Sequence, residues 1–136
     1  MAARAKASAD GKDPGKIKET RTLHSARLFF GYATGTNLWF PFAVGATTIL
    51  FREQPSAEIL FELIGQHRPS VLTSVPTLIN KMLEAPGAAD LSCVRFMWSA
   101  GEALPRDLHE RWDRRFGAPI IDGIGSAESF HIYISN

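Results

Sequence analysis

The runs Gly31-Tyr32-Ala33, Ser74-Val75-Pro76, Ser99-Ala100-Gly101-Glu102 and Gly123-Ile124-Gly125-Ser126-Ala127-Glu128 combine small residues with one aromatic ring and two carboxylates. Small residues let a ligand come close to the backbone. The carboxylates of Glu102 and Glu128 could hold a hydrated magnesium ion or accept hydrogen bonds from a nucleobase. Each residue also has an ordinary reading. Loops at strand ends are rich in glycine and serine for turn geometry alone. Glu128 could be a solvated acid after a turn, and Glu102 a first-turn acid ahead of the helix at Pro105. Tyr32 reads equally as core, and His131, in an apolar run, as a hydrogen-bonded core histidine. His24, His67 and His109 show no ligand spacing and read as surface residues; Trp98 and Trp112 read as packing.

These runs can act together only if the chain brings them to one edge. The order of elements predicts that it does. Arg27–Tyr32 reads as a strand, Thr36–Val44 as a short buried helix bent or entered near Pro41, and Ala46–Phe51, rich in β-branched residues, as a buried strand. Ser56 is a good N-cap with Glu58 in the first turn, and the helix it opens puts Ile59, Leu60, Leu63 and Ile64 on one face. Ser70–Ser74 is the next strand. Pro76 starts a helix presenting Leu78, Ile79, Met82 and Leu83. Val94–Trp98 is a strand, Pro105 opens a helix with Leu108, Trp112 and Phe116 four apart, Gly117 ends it, and Pro119–Asp122 is a last strand before a glycine-containing loop. Alternation of this kind predicts an α/β fold, a doubly wound parallel sheet of at least four strands flanked by helices. Ligands bind beyond the carboxyl ends of the strands of such sheets, where all four small-residue runs fall.

Composition narrows the function. The 136 residues suffice for one small domain, and 45% hydrophobic with 21% charged residues is ordinary globular usage. A formal net charge of +1 argues against an electrostatic nucleic-acid binder. A lone cysteine, Cys93, can form neither an internal disulfide nor a cysteine-based zinc site and fits a reducing cytoplasm. Residues 1–22 carry one large aliphatic side chain after Met1, Ile17, and are expected to be a disordered tail. Asp10, Asp13 and Glu19 argue against reading that tail as a mitochondrial presequence. Leu28–Phe51 lacks any charge and is long enough to span a membrane, but Gly31, Gly35, Pro41, Gly45 and Asn37 punctuate it into shorter elements.

Four blocks then carry a resemblance: ARLFFGYATGTNLWFPFAVGATTIL, HRPSVLTSVPTLINKML, WSAGEALP and IDGIGSAESFHIYISN. In this order and spacing, Leu23–Asn136 resembles the central part of the N-terminal domain of the adenylate-forming superfamily, the AMP-dependent synthetases and ligases, and within it the benzoate-CoA and 4-hydroxybenzoate-CoA ligases. The resemblance implies a two-step reaction. An aromatic carboxylate attacks the α-phosphorus of ATP to give an acyl-adenylate and pyrophosphate, and the thiol of coenzyme A then displaces AMP. It implies magnesium held by Glu128, which would also be catalytic, and an adenine amino group bonded to Asp122. Ile124 would pack on the adenine ring, while Gly101, Glu102, Gly123, Gly125, Ser126 and Ala127 line the nucleotide site. Tyr32, Ala33, His131 and Ile132 would shape the aryl pocket. Its partners would be small molecules, with no nucleic acid and no membrane.

The resemblance also defines departures. Such ligases carry threonine where this chain has Ala127, and that hydroxyl would contact the α-phosphate; one such donor to a charged group is worth about 1–3 kcal/mol. The glycine-rich loop that grips the phosphates is expected before Leu23, and the ribose-binding aspartate and the small lysine-bearing domain after Asn136. None is found in the sequence. The expectation is therefore a ligase fragment, residues 23–136, inactive alone. A non-catalytic nucleotide- or aryl-acid-binding remnant is the alternative, and a membrane-inserted peptide a more distant one.

Overall fold

The computed structural model describes residues 19–87 and 89–136. Its centre is a six-stranded sheet in the order β2-β1-β3-β4-β5-β6. The strands are β1 (Arg21–His24), β2 (Thr47–Ile49), β3 (Val71–Ser74), β4 (Phe96–Ser99), β5 (Ile120–Ser126) and β6 (His131–Ser135). The first five are mutually parallel, and β6 is antiparallel to β5. The doubly wound expectation is met: the chain steps from β1 outward to β2, then back across to β3 and on to β5. With right-handed crossovers, those two directions of travel put their connecting helices on opposite faces.

Three helices cover one face: α3 (Ala57–His67), α4 (Pro76–Glu84) and α5 (Arg106–Phe116). Their ends follow from local chemistry. The Ser56 hydroxyl accepts a hydrogen bond from the Ile59 N–H at 3.3 Å and caps α3. Pro76 supplies the fixed φ of a first helical residue, and Gly117, at φ 62°, terminates α5 in the left-handed region. Under these helices the register aligns Ile49, Leu23, Leu72, Met97 and Ile120 in one row across the sheet. Leu60 and Ile64 of α3, Ile79 and Met82 of α4, and Leu108 and Trp112 of α5 close over that row as a single apolar core. Trp112 is fully buried and its indole N–H donates to the Ala118 carbonyl at 2.9 Å.

The opposite face is built differently. One helical segment crosses it, running through α1 (Gly31–Thr34), a π-helical turn (Gly35–Trp39) and α2 (Phe40–Ala43). The wide turn has a cause. Pro41 has no N–H to give to the Asn37 carbonyl four residues earlier, and its ring would clash there in a regular α-helix. The freed Asn37 carbonyl instead accepts from the Thr48 hydroxyl at 2.6 Å, tying the segment to β2. Gly45, at φ +69°, then closes the segment with two reversed bonds, Gly45 N–H to Phe42 and Ala46 N–H to Pro41.

Several expectations are corrected. Arg27–Tyr32 is not a strand; the strand lies earlier, at Arg21–His24, and takes in the last two residues of the segment expected to be a disordered tail. The rest of that tail, through Lys18, lies outside the described residues. Thr36–Val44 is helical but not buried throughout, since Trp39, Phe40, Phe42 and Val44 are exposed. The loop expected after Asp122 is a continuation of β5, which turns back as β6. His24, expected at the surface, is 1% exposed. Leu28–Phe51 is divided among a loop, the helical segment and β2, and among the described residues no helix is long and apolar enough to cross a membrane.

Candidate functional site

Gly31 and Gly35, four residues apart, lie on one face of the helical segment. Their missing side chains are what this face needs. A Cβ on Gly31 would sit 2.8 Å from the Ala127 carbonyl oxygen, and one on Gly35 would sit 1.8 Å from that of Phe130. The start of the helical segment therefore lies directly on the Ala127–Phe130 turn between β5 and β6. Glycine has a second use in β5 itself. A Cβ on Gly123 would meet Ile132 at 2.4 Å, and one on Gly125 the His131 carbonyl at 2.4 Å, so the Gly-Ile-Gly run lets β6 fold tightly back. The turn closes with Phe130 at φ 56°, a left-handed conformation that is costly for an aromatic residue and persists only when its surroundings impose it.

This docking gathers residues far apart in sequence. The Tyr32 ring lies edge-on to His24 with centroids 4.9 Å apart, and 6.0 Å from His131. Phe40 and Trp98 approach His131 at 5.0 and 5.4 Å. Ala33 is fully buried beneath them. Of the expected aryl-pocket residues, Tyr32 and His131 thus come together, and the imidazole of His131 is ringed by three aromatic side chains, whereas Ile132, next along β6, lies against Gly123. His24, Phe40 and Trp98 were not expected there. The signal for Trp98 was available, since it alternates with the core residue Met97 and must face the other side of the sheet.

Polar groups in this region lack partners. Tyr32 Oη, His131 Nδ1, His24 Nε2, Asp122 Oδ1, Asn37 Oδ1 and Ser99 Oγ are buried with no hydrogen bond among the described residues. Buried polar atoms in folded proteins are normally paired, with protein, water or ligand. Burial, then the nearby Asp122 carboxylate, pushes the Tyr32 hydroxyl above its usual range. Burial, then His131, holds His24 down at about 3, and burial also lowers His131, so both imidazoles are neutral at pH 7. The His24 tautomer is set: Nδ1 accepts the Ala26 N–H at 2.7 Å, leaving the proton on Nε2.

The expected nucleotide-site residues fall at neighbouring strand ends. Ser74, Ser99 and Asp122 are register partners at the carboxyl edge of β3, β4 and β5. Asp122 donates its N–H to the Asn136 side chain at 3.0 Å. Ile124 is 64% exposed, and the Ser126 hydroxyl is engaged with Ser129 at 3.1 Å. Gly101 adopts φ +87°, a conformation that favours glycine, after β4. Glu102 turns away from the β5 run. Its carboxylate accepts the Thr77 N–H at 3.0 Å and the Thr77 hydroxyl at 2.7 Å, capping α4 from a separate loop. Both bonds fall on one carboxylate oxygen, and the second takes no hydrogen bond among the described residues. Glu128 is exposed at the tip of the turn and takes no ion pair among the described residues. No group of three or more His, Cys, Asp or Glu is clustered as metal ligands there.

The AMP-binding enzyme family is matched over residues 1–136. The chain is similar to the benzoate–CoA ligase of Thauera aromatica, with 47% identity over 124 residues that make up 88% of this chain and 23% of that one. It is 35% identical over 129 residues to the 4-hydroxybenzoate–CoA/benzoate–CoA ligase of Rhodopseudomonas palustris, covering 93% of this chain and 24% of the relative. Among solved structures, a benzoate CoA ligase from Burkholderia xenovorans LB400 superposes with a TM-score of 0.82 at 45% identity, over 90% of this chain and 25% of that one. The chain spans about a quarter of the length of the relatives it matches.

Proposed function

We propose, from the premise that the chain belongs to the AMP-binding enzyme family, that it forms the aryl-acid and adenylate side of an ATP-dependent aryl–CoA ligase of the benzoate type. The observation that carries this reading is the docking of Gly31 and Gly35 on the Ala127–Phe130 turn. It joins the aromatic cluster to the run Asp122–Glu128, so an aryl carboxylate held beside Tyr32 and His131 faces the nucleotide residues. Joining acid and nucleotide in this order is what adenylate formation needs.

The environment of each residue supports the role proposed for it. Tyr32, Ala33, His131 and Ile132 wall a flat ring, and the neutral imidazoles add no charge that would hold the carboxylate away from phosphorus. The unpaired Asp122 oxygen accepts from the adenine amino group, and the exposed Ile124 packs on the purine face. Gly101, Gly123, Gly125, Ser126 and Ala127 line the nucleotide through backbone, as does Glu102, one of whose carboxylate oxygens is held by Thr77. Glu128 would hold magnesium. A lone exposed carboxylate fits that ion, which is usually bound by one or two carboxylates plus the substrate's own phosphates and keeps several waters. The metal supplies neutralisation of phosphate charge during attack at the α-phosphorus. Coenzyme A would accept the acyl group in the second step. A cytoplasmic setting belongs to the same proposal.

The test is a chimera, since the chain spans about a quarter of its relatives. Residues 23–136 replace the matching segment of the Thauera aromatica ligase, and benzoate-dependent pyrophosphate release is measured. Release should persist, fall about 10²–10³-fold with Glu128→Gln, and rise with Ala127→Thr. A chimera that folds and turns over with no sensitivity to Glu128→Gln would overturn the assignment. The 136-residue chain alone should release no pyrophosphate.

A further inference from the structure

The loop that leaves β4 has little to hold it. Gly101, Glu102 and Ala103 are exposed, and among the described residues none of the three takes part in a backbone–backbone hydrogen bond. Ala100 before them is buried and Leu104 after them packs against the core, so the three form a bridge between two anchored ends. Gly101 crosses it at φ +87°, and a glycine has other conformations open to it at little cost. A backbone that must meet a ligand in one geometry needs a further tie.

Helix α4 has a need of its own. Pro76 opens it and brings no N–H. The Val75 carbonyl takes the Leu78 and Ile79 N–H groups, both at 3.0 Å, and Val75, the N-cap, makes no side-chain cap. That leaves the Thr77 N–H without a partner in its own helix. Glu102 meets both needs with one oxygen, since its Oε2 accepts this N–H at 3.0 Å and the Thr77 hydroxyl at 2.7 Å. A carboxylate suits the place. A helix N-terminus carries partial positive charge, and hydrogen bonds to an ionised group are about twice as strong as neutral ones. The two loops leave neighbouring strands with Ser74 and Ser99 in register, and a Cβ on Gly101 would lie 3.7 Å from Val75 Cγ1. The bond therefore clips the Gly101 loop to the start of α4.

We propose that Glu102 and Thr77 are a positioning pair, in which the carboxylate, by capping α4, fixes the Gly101 backbone in the geometry that receives the adenosine end of the nucleotide. This role rests on the aryl–CoA ligase reading above. The pair acts through Gly101 and takes no part in the chemistry; its contribution is to order the loop before the nucleotide arrives.

The test has two arms. In the full ¹⁵N-labelled chain, Glu102→Leu removes the acceptor at an exposed position. The heteronuclear NOE of Gly101 should fall to loop-like values and the Thr77 N–H should exchange with solvent about tenfold faster, while the melting temperature moves by no more than a few degrees. In the Thauera aromatica chimera the same change should raise the KM for ATP about tenfold and leave the KM for benzoate within about twofold. Thr77→Val should act in the same direction and more weakly, because the N–H remains, and Thr77→Ser should restore the ATP value. Glu102→Leu combined with Thr77→Val should cost no more than Glu102→Leu alone, since both act through one oxygen. An unchanged Gly101 NOE overturns the proposal, as do equal rises in both KM values, which a merely structural bond would give. Should Glu102→Leu not fold, Thr77→Val carries the same comparison. An unmodified chimera without turnover defeats the ligase reading and the nucleotide role with it, whereas an active chimera indifferent to Glu102→Leu defeats this proposal alone.

Discussion

The two faces of this sheet are made by opposite means. Under α3, α4 and α5 the residues are large, apolar and closely packed, and the one indole buried among them finds a partner, Trp112 donating to Ala118. On the other face the helical segment approaches through glycines, the aromatic side chains surround imidazoles, and polar atoms are left unpaired. The first arrangement maximises contact and minimises frustration. The second leaves unmet hydrogen bonds and a strained Phe130 that a ligand or water can use. The comparison teaches a division of labour: one face supplies the stability that the other can spend on recognition.

The strongest way to break the comparison is to remove its support. Trp112→Ala deletes a fully buried ring that also donates a hydrogen bond, at a cost of about 3–5 kcal/mol. That is comparable to the whole stability of a small domain. Both faces should be lost together, seen as collapse of NMR dispersion and of the thermal transition. Survival of the His24–Tyr32–His131 region in such a variant would show that the faces are independent.

Acid should act next, through the second face. His24 binds its proton at about 3 when folded, against an ordinary value of 6.5. The unfolded chain therefore holds more protons between those limits, and stability rises with pH there and is fully present above 6.5. Lowering the pH from 6.5 toward 3 should cost about 1.4 kcal/mol per unit from this group. Partly buried His131 acts in the same direction and more weakly. Urea melts at pH 7, 5 and 4 measure the slope. His24→Phe should flatten it while lowering stability at pH 7, because the Ala26 N–H loses its acceptor.

Gly35→Ala separates the faces. Its Cβ would lie 1.8 Å from a backbone oxygen, which no rotamer change can relieve, so the turn must leave or the helix must shift. Overpacking of this kind costs about 1–3 kcal/mol. The His131 and Trp98 signals should become solvent-like while the α3–α5 face stays folded. The proposed benzoate binding should be lost with them.

What the sequence revealed follows the same division. Ser56, Pro76, Pro105 and Gly117 mark helix ends by chemistry local to each residue, and the periodic apolar positions between them face the core as expected. The parallel sheet followed from that alternation. The second face depends on contacts between distant residues. The Gly35–Phe130 approach, the Glu102 cap on Thr77 and the release of the Asn37 carbonyl to Thr48 have no signature at either partner alone. Strand β1 was misplaced because Arg-Thr-Leu-His follows a polar tail, and only pairing with β2 and β3 on both sides makes it central. That error moved His24 to the surface in the sequence reading. The turn to β6 was hidden because Gly-Ile-Gly-Ser reads as loop until a returning strand needs its missing side chains. The resemblance supplied the proposed aryl and nucleotide residues, and the geometry adds His24, Phe40 and Trp98 around Tyr32 and His131.

The smallest effect has the opposite sign and tests whether glycine means the same thing on both faces. Gly65 sits inside α3 at an exposed position, and a Cβ there would meet nothing within 4 Å. No close approach or left-handed φ requires glycine at this site. Replacing it with alanine removes backbone freedom from the unfolded chain and adds a better helix former, worth about 0.4–1 kcal/mol. Gly65→Ala should therefore raise the melting temperature by a few degrees and leave the His131 and Trp98 signals unmoved. Gly35→Ala is the same chemical change in another helical segment, so the intrinsic helix gain is common to both. The difference between the two variants then isolates the cost of the backbone approach at Phe130. Should both prove stabilising, the docking of Gly31 and Gly35 on the turn would not exist in solution, and the pocket built on it would have no frame.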